Sequence, residues 1–136
     1  MWPFIVDAPS AVEFMMLVSC AVMGLSHILQ PRMWVDFFTH LHAQGTRGVI
    51  FRTFALELWP AMLLITLHQV WHGPGLVLTV YGWLLFTKVV VSMMNPALGL
   101  RSLAMASRGP KAFVGGGVML LGVAAVAGAA LVTRNP

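Results

Sequence analysis

FRTFALELWPAMLLITLH (residues 51–68) and GLVLTVYGWLLFTKVVVSMM (residues 75–94) are the stretches that decide the fold. Each is close to the ~20 apolar residues that a helix needs to cross the hydrocarbon of a bilayer. His72-Gly73-Pro74 breaks the chain between them, so the two are expected to run antiparallel. We read Glu57 and Lys88 as the only charged side chains set well inside apolar sequence. About a turn centred on residues 71 and 72, the mirror position of Glu57 is Phe86. Lys88 then lies two residues off level, roughly 3 Å at ~1.5 Å per residue. An ionisable group in hydrocarbon costs at least ~2.5 kcal/mol, so it seeks a partner, a cavity or a functional path. The two are expected to meet.

Working outward, further apolar stretches at about 10–30 and 111–133 join 49–69 and 75–94 to make four spans. Of the 136 residues 59% are hydrophobic and 9% charged, outside the range of an ordinary soluble domain. The predicted fold is therefore all-α: a polytopic membrane protein with a single domain over residues 1–136, a four-transmembrane-helix bundle. Pro9 and Ser10 mark the start of the first span and Gln30-Pro31 its end. Asn95-Pro96 closes the third span, and Arg108-Gly109-Pro110 opens the fourth. The lone Cys20 excludes a disulfide framework. MWPFIVDAPSAVEF lacks a basic n-region and does not read as a cleaved signal peptide.

Arg32, Arg47 and Arg52 cluster at the first connection, and Arg101, Arg108 and Lys111 at the third. The positive-inside bias puts both connections in the cytoplasm of a bacterial-type inner membrane, with both termini outside. No contiguous basic stripe exists, so nucleic-acid binding is not expected. In the first connection Trp34, Phe37, Phe38 and Leu41 fall on one helix face. This predicts a short amphipathic surface helix over about 32–44, aromatics toward the acyl chains. PALGLRSLAMASRGP repeats the pattern more weakly in the third connection. In the fourth span Gly122, Ala125 and Ala129 form one small-residue row, and Ala124 and Gly128 another. Such rows let helix backbones approach closely; packing within the bundle is the favoured use, an oligomer or partner interface the other.

The polar residues admit structural and functional roles. Glu57 with Lys88 reads first as a fastening between spans, and second as a proton, ion or polar-ligand site; Lys88 snorkelling to the surface is the third course. Pro60 cannot donate to the Leu56 carbonyl, which frees an acceptor beside Glu57. His27 and His68 lie at opposite ends of the bundle and cannot ligate one haem. No CxxCH is present, so haem is expected only if shared with a partner. His68 and His72 share a helix face if the second span continues to Gly73, a weak metal signal that lacks a carboxylate or cysteine companion. His40 and His42 diverge on a helix. Ser26, His27, Gln30, Arg32 and Asp36 gather at a membrane boundary, as in quinone or headgroup sites; an ordinary helix end is the simpler reading.

GxxxxGK[ST], HExxH and GxSxG motifs are absent, which leaves no soluble catalytic machinery. The span-one ending GLSH followed by ALELWPAMLLI resembles the DoxX-type small four-helix membrane proteins, with Gly24, His27 and Glu57 as the matching residues. Trp59-Pro60-Ala61 stands where that family's pattern has a glycine. The resemblance implies a small bacterial inner-membrane protein, in some members tied to quinone-linked sulfur oxidation or redox-stress complexes. It transfers no catalytic residue. The function expected is that of an accessory or scaffold subunit, surrounded by lipid and bound to other membrane subunits or to copies of itself. A quinone- or redox-interacting subunit and a small oligomeric transporter or channel built on Glu57 and Lys88 are the alternatives. No resident cofactor is predicted, a quinone or shared haem aside.

Overall fold

Asp7 opens the first helix. Its Oδ1 accepts the Ser10 N–H at 2.8 Å, and the Ser10 hydroxyl accepts the Asp7 N–H at 3.0 Å, so two otherwise orphaned donors are satisfied reciprocally. The computed structural model describes residues 2–134, the Met105 side chain apart. It contains helix α1 (Ala8–Leu29), α2 (Pro31–Ala43), α3 (Thr46–Arg52), a π-helical segment (Thr53–Leu58) and α4 (Trp59–Leu67). There follow α5 (Gly75–Met94), α6 (Pro96–Leu103), a 3-10 turn (Ala104–Arg108) and α7 (Pro110–Arg134). No strand occurs among the described residues.

Four helices are long and apolar enough to cross a membrane: Ala8–Leu29, Thr46–Leu67, Gly75–Met94 and Pro110–Arg134. The second is α3, the π segment and α4 run together. Their bounds lie within a few residues of those expected from the sequence. Of the most apolar 18 residues in each, only 28–39% are buried. Most of the apolar surface therefore faces outward, which suits a bundle whose surroundings are apolar too.

Pro60 sets the character of the second long helix. A proline removes one N–H from the ladder and its ring crowds the carbonyl four residues back. Just ahead of it the helix widens into the π segment, in which carbonyls bond the fifth N–H along. The extra residue in that turn rotates everything before it, which decides where Arg52 and Thr53 point.

Helix α1 packs along α7, and α4 pairs with α5. The core joins Val12, Met16 and Cys20 to Leu64, Leu78, Ala124 and Ala127. Gly24 and Gly117 govern the α1–α7 approach. A Cβ on Gly24 would lie 2.8 Å from the Gly117 oxygen, and one on Gly117 would lie 2.7 Å from the Gly24 oxygen. The small-residue contact is thus real but uses different residues from the row Gly122, Ala125 and Ala129. All three are exposed, and a Cβ on Gly122 would meet nothing within 4 Å. Five residues beyond Gly117 is about 140° round the helix, so that row points away from α1. Ala124, of the second row, is buried.

The surface helix expected at 32–44 is α2, but its aromatic face is turned into the bundle. Phe37 and Phe38 pack on a second core cluster of Leu41, Val49 and Leu103, and Phe38 meets Phe113 at 5.4 Å. The apolar side chains at that end of the bundle need a cover, and α2 supplies it. The steric contact at the glycines makes a direct forecast. Gly24→Leu should cost about 1–3 kcal/mol of stability through overpacking, read as a lower unfolding midpoint in detergent. Gly122→Leu should stay within about 0.5 kcal/mol of the parent.

Candidate functional site

Two clusters of charged side chains are sunk into opposite ends of the bundle. The first is built on the π segment. Lys88 Nζ donates to Glu57 Oε1 at 2.5 Å, so the α5 lysine and the second-helix glutamate are in contact. Arg52 joins them, with Nε 3.6 Å from the same oxygen. Its Nη1 donates to the Gly99 carbonyl at 3.3 Å and to the Ser102 hydroxyl at 3.0 Å, and Nη2 reaches Ser92 Oγ at 3.5 Å. Arg52 lies at the end of the first connection, as its place in the sequence implies, yet its side chain is not at the surface. It is instead only 2% exposed, because the helix begins at Thr46 and α6 folds back over it. Glu57 Oε2, Arg52 Nε and Thr53 Oγ1 lack hydrogen-bond partners. The Lys88 side chain remains 45% exposed, on the outer face of the bundle.

The second cluster was missed from sequence. Glu13 and His68 are both fully buried. Arg134 grips the Glu13 carboxylate side-on, Nη2 donating to Oε1 at 2.7 Å and Nε to Oε2 at 3.1 Å, the strong paired form of this contact. His68 Nε2 donates to Glu13 Oε1 at 2.9 Å. Its Nδ1 lies 3.1 Å from Thr79 Oγ1. The Thr79 hydroxyl also reaches the Val70 carbonyl at 2.7 Å and accepts the Val70 N–H at 3.2 Å, which holds the 68–75 turn closed. Arg134 Nη1 further approaches Asp7 Oδ2 at 3.7 Å. The Ser10 backbone N–H holds the Asp7 carboxyl below its usual range, against a smaller opposing effect of burial. A cavity of about 380 Å³ opens beside the cluster, walled by Glu13, His72, Thr133, Arg134 and the 73–75 turn.

A signal for this cluster was present. In an antiparallel four-helix bundle the starts of the first and third helices and the ends of the second and fourth share one end. Glu13, Thr79, His68 and Arg134 occupy those four places. The pairing of His68 with His72 on one helix face does not occur. The helix ends at Leu67, and His68 is its C-cap with φ −122° and ψ 73°. His68 is committed to Glu13 and Thr79, while His72 is exposed.

At the other end, His27 and Ser26 come together with Trp34. The His27 and Trp34 rings stack with centroids 4.2 Å apart, and Trp34 Nε1 donates to Ser26 Oγ at 2.9 Å. The Met23 carbonyl lies 2.7 Å from His27 Nδ1; a carbonyl only accepts, so Nδ1 carries the proton. Gln30, Arg32 and Asp36 are exposed and do not complete this group. Between α1 and α4 runs an apolar groove of about 690 Å³, walled by Met15, Met16, Val22, Met23, Trp59 and Leu63 among others. No family model, curated protein or solved structure matches the chain.

The two clusters differ in how much they hold. Arg134→Met strands a fully buried carboxylate and should cost about 3–5 kcal/mol. Lys88→Met leaves Arg52 beside Glu57 and removes a half-exposed charge, so it should cost about 1 kcal/mol or less. Chemical unfolding in detergent micelles ranks the two. Asp7 sets a pH trend. Its carboxyl is depressed in the folded state, so its contribution is present above its ordinary pKa of about 3.9 and fades as pH falls through the lower folded value. The stability gap between parent and Asp7→Ala, measured at several pH values, should narrow as pH falls below about 4.

Proposed function

We propose that this chain is a small membrane-embedded accessory subunit, which lies in the bilayer and binds other membrane proteins or further copies of itself. The observation that carries the reading is Lys88. Its side chain is 45% exposed on the outside of a long apolar helix, and it shares Glu57 with buried Arg52. Lipid tails offer such a charge nothing, whereas a polar residue on a neighbouring protein helix does. The outward row Gly122, Ala125 and Ala129 supports the same reading, since small residues leave room for a second backbone. Orientation follows the arginines: the α2 and α6 ends in the cytoplasm of a bacterial-type inner membrane, both termini outside. Solubilisation in mild detergent, with cysteine crosslinking from Thr87→Cys and Ala125→Cys, should retain and trap a protein neighbour or a second copy. Migration as a lone monomer without crosslinks would overturn the proposal.

A second reading, a quinone- or redox-interacting subunit, is favoured by one observation. The α1–α4 groove of about 690 Å³ has the size and lining of a site for an apolar ligand. Quinone extracted with the purified protein, and lost on Met16→Trp, would favour it. Transport through one subunit draws less support, because Met16, Cys20, Leu64, Leu78 and Ala124 form an apolar layer between the two charge clusters.

A further inference from the structure

The carboxylates of this protein are few, and most are already taken. Glu13 holds His68 and Arg134, Asp7 approaches Arg134, and Glu57 holds Lys88 and Arg52. The remaining one, Asp36 on α2, makes no ion pair among the described residues. Arg101 and Arg108 likewise have no carboxylate within reach there. Yet these two arginines wall one cavity of about 340 Å³, together with Ser102, Ala104 and Ser107. Two guanidinium groups and two hydroxyls on one small cavity form a set of donors with no protein acceptor of matching charge.

The helix that follows sharpens the point. Arg108 lies two residues before the start of α7, and Lys111 lies in its first turn, which contains no acidic residue. The N-terminal end of a 25-residue helix is the positive pole of its dipole, where cations are disfavoured and anions favoured. Three cations at or near that pole are an arrangement that an anion would relieve. Behind the cavity, Ser102 accepts from Arg52, whose own charge is only partly offset by a glutamate shared with Lys88. The whole end of the bundle therefore carries excess positive charge, and the cavity is where it converges.

We infer that the Arg101–Arg108 cavity binds a phosphate group. The guanidinium fork matches two phosphate oxygens at once, and the Ser102 and Ser107 hydroxyls on the same cavity offer further donors. Ser107 Oγ donates to the Ala104 carbonyl at 2.6 Å and would turn from it to reach a phosphate oxygen. The cavity lies between the ends of two long apolar helices, α5 and α7, the level at which lipid headgroups sit. On the membrane reading above, an acidic phospholipid is one source of the phosphate; a free phosphate ion is the other.

The test uses the full-length protein in a nonionic detergent, with the unfolding midpoint titrated against three probes. These are inorganic phosphate, a short-chain phosphatidylglycerol and a short-chain phosphatidylcholine. Saturable stabilisation by phosphatidylglycerol alone assigns the site to an acidic lipid, and stabilisation by inorganic phosphate as well assigns it to the phosphate group whatever its carrier. In either case R101Q/R108Q should weaken the apparent affinity about tenfold or more, and R101K/R108K, which keeps the charge and loses the fork, should fall between. R32Q/R47Q, exposed arginines at the same end, is the charge-matched control and should bind like the parent. An equal loss in that control would mean diffuse attraction to a basic surface and overturn the inference. So would the absence of saturable binding by both anionic probes, or equal binding of phosphatidylcholine and phosphatidylglycerol that R101Q/R108Q leaves unchanged, which would place the binding on the acyl chains. All three double variants replace exposed side chains, so the midpoint without probe reports whether they fold.

Discussion

The backbone contact between Gly24 and Gly117 is the constraint on which the rest of the bundle depends. Because neither residue has a side chain, α1 and α7 can lie close along their length, and the first and last helices become neighbours. That proximity carries the end of α7 to the start of α1, where Arg134 meets Glu13. A wider separation would leave a buried carboxylate facing apolar surroundings with only a histidine beside it. Steric permission at one end of the helix pair thus underwrites an ion pair at the other.

The two charge clusters answer the same problem in different ways. Around Glu13 every strong acceptor is used, and the participants come from α1, α7, α5 and the C-cap of α4. That cluster closes the end of the bundle. Around Glu57 two cations share one carboxylate, one of its oxygens has no donor, and Lys88 faces outward. A saturated cluster is what a purely structural fastening requires; an unsaturated one leaves electrostatic work for something outside the chain. The same surplus continues through Ser102 to the arginines of the third connection.

Much of the architecture was legible in the residues. Proline and glycine breaks mark the ends of the long helices because they remove donors or permit backbone geometry that a helix cannot continue. The approach of Lys88 to Glu57 followed from mirror symmetry about a short turn, since nearby antiparallel partners have little freedom to slip. The burial of Arg52 was not legible, because α6 supplies Gly99 and Ser102 from far along the chain. Glu13 was passed over for a related reason. Its partner in α7 is 121 positions away, and hydrophobic periodicity reports which face of a helix is apolar, not which helix lies against it. The outward row of small residues in α7 shows the limit from the other side. Composition marks a helix as able to pack closely, while the choice of face is made by the neighbour's own glycine.

The Glu13–Arg134 pair has a consequence for the order in which the protein is made. Glu13 lies in the first of the four long helices and Arg134 at the end of the fourth, so the acid is synthesised well before its partner. On the proposed membrane reading, the nascent chain carries an unneutralised acid near the outer edge of its first helix throughout that interval, with His68 as its interim companion. The last turn of the last helix then completes the charge balance. The pair thereby makes the burial of Glu13 conditional on the docking of α7 against α1.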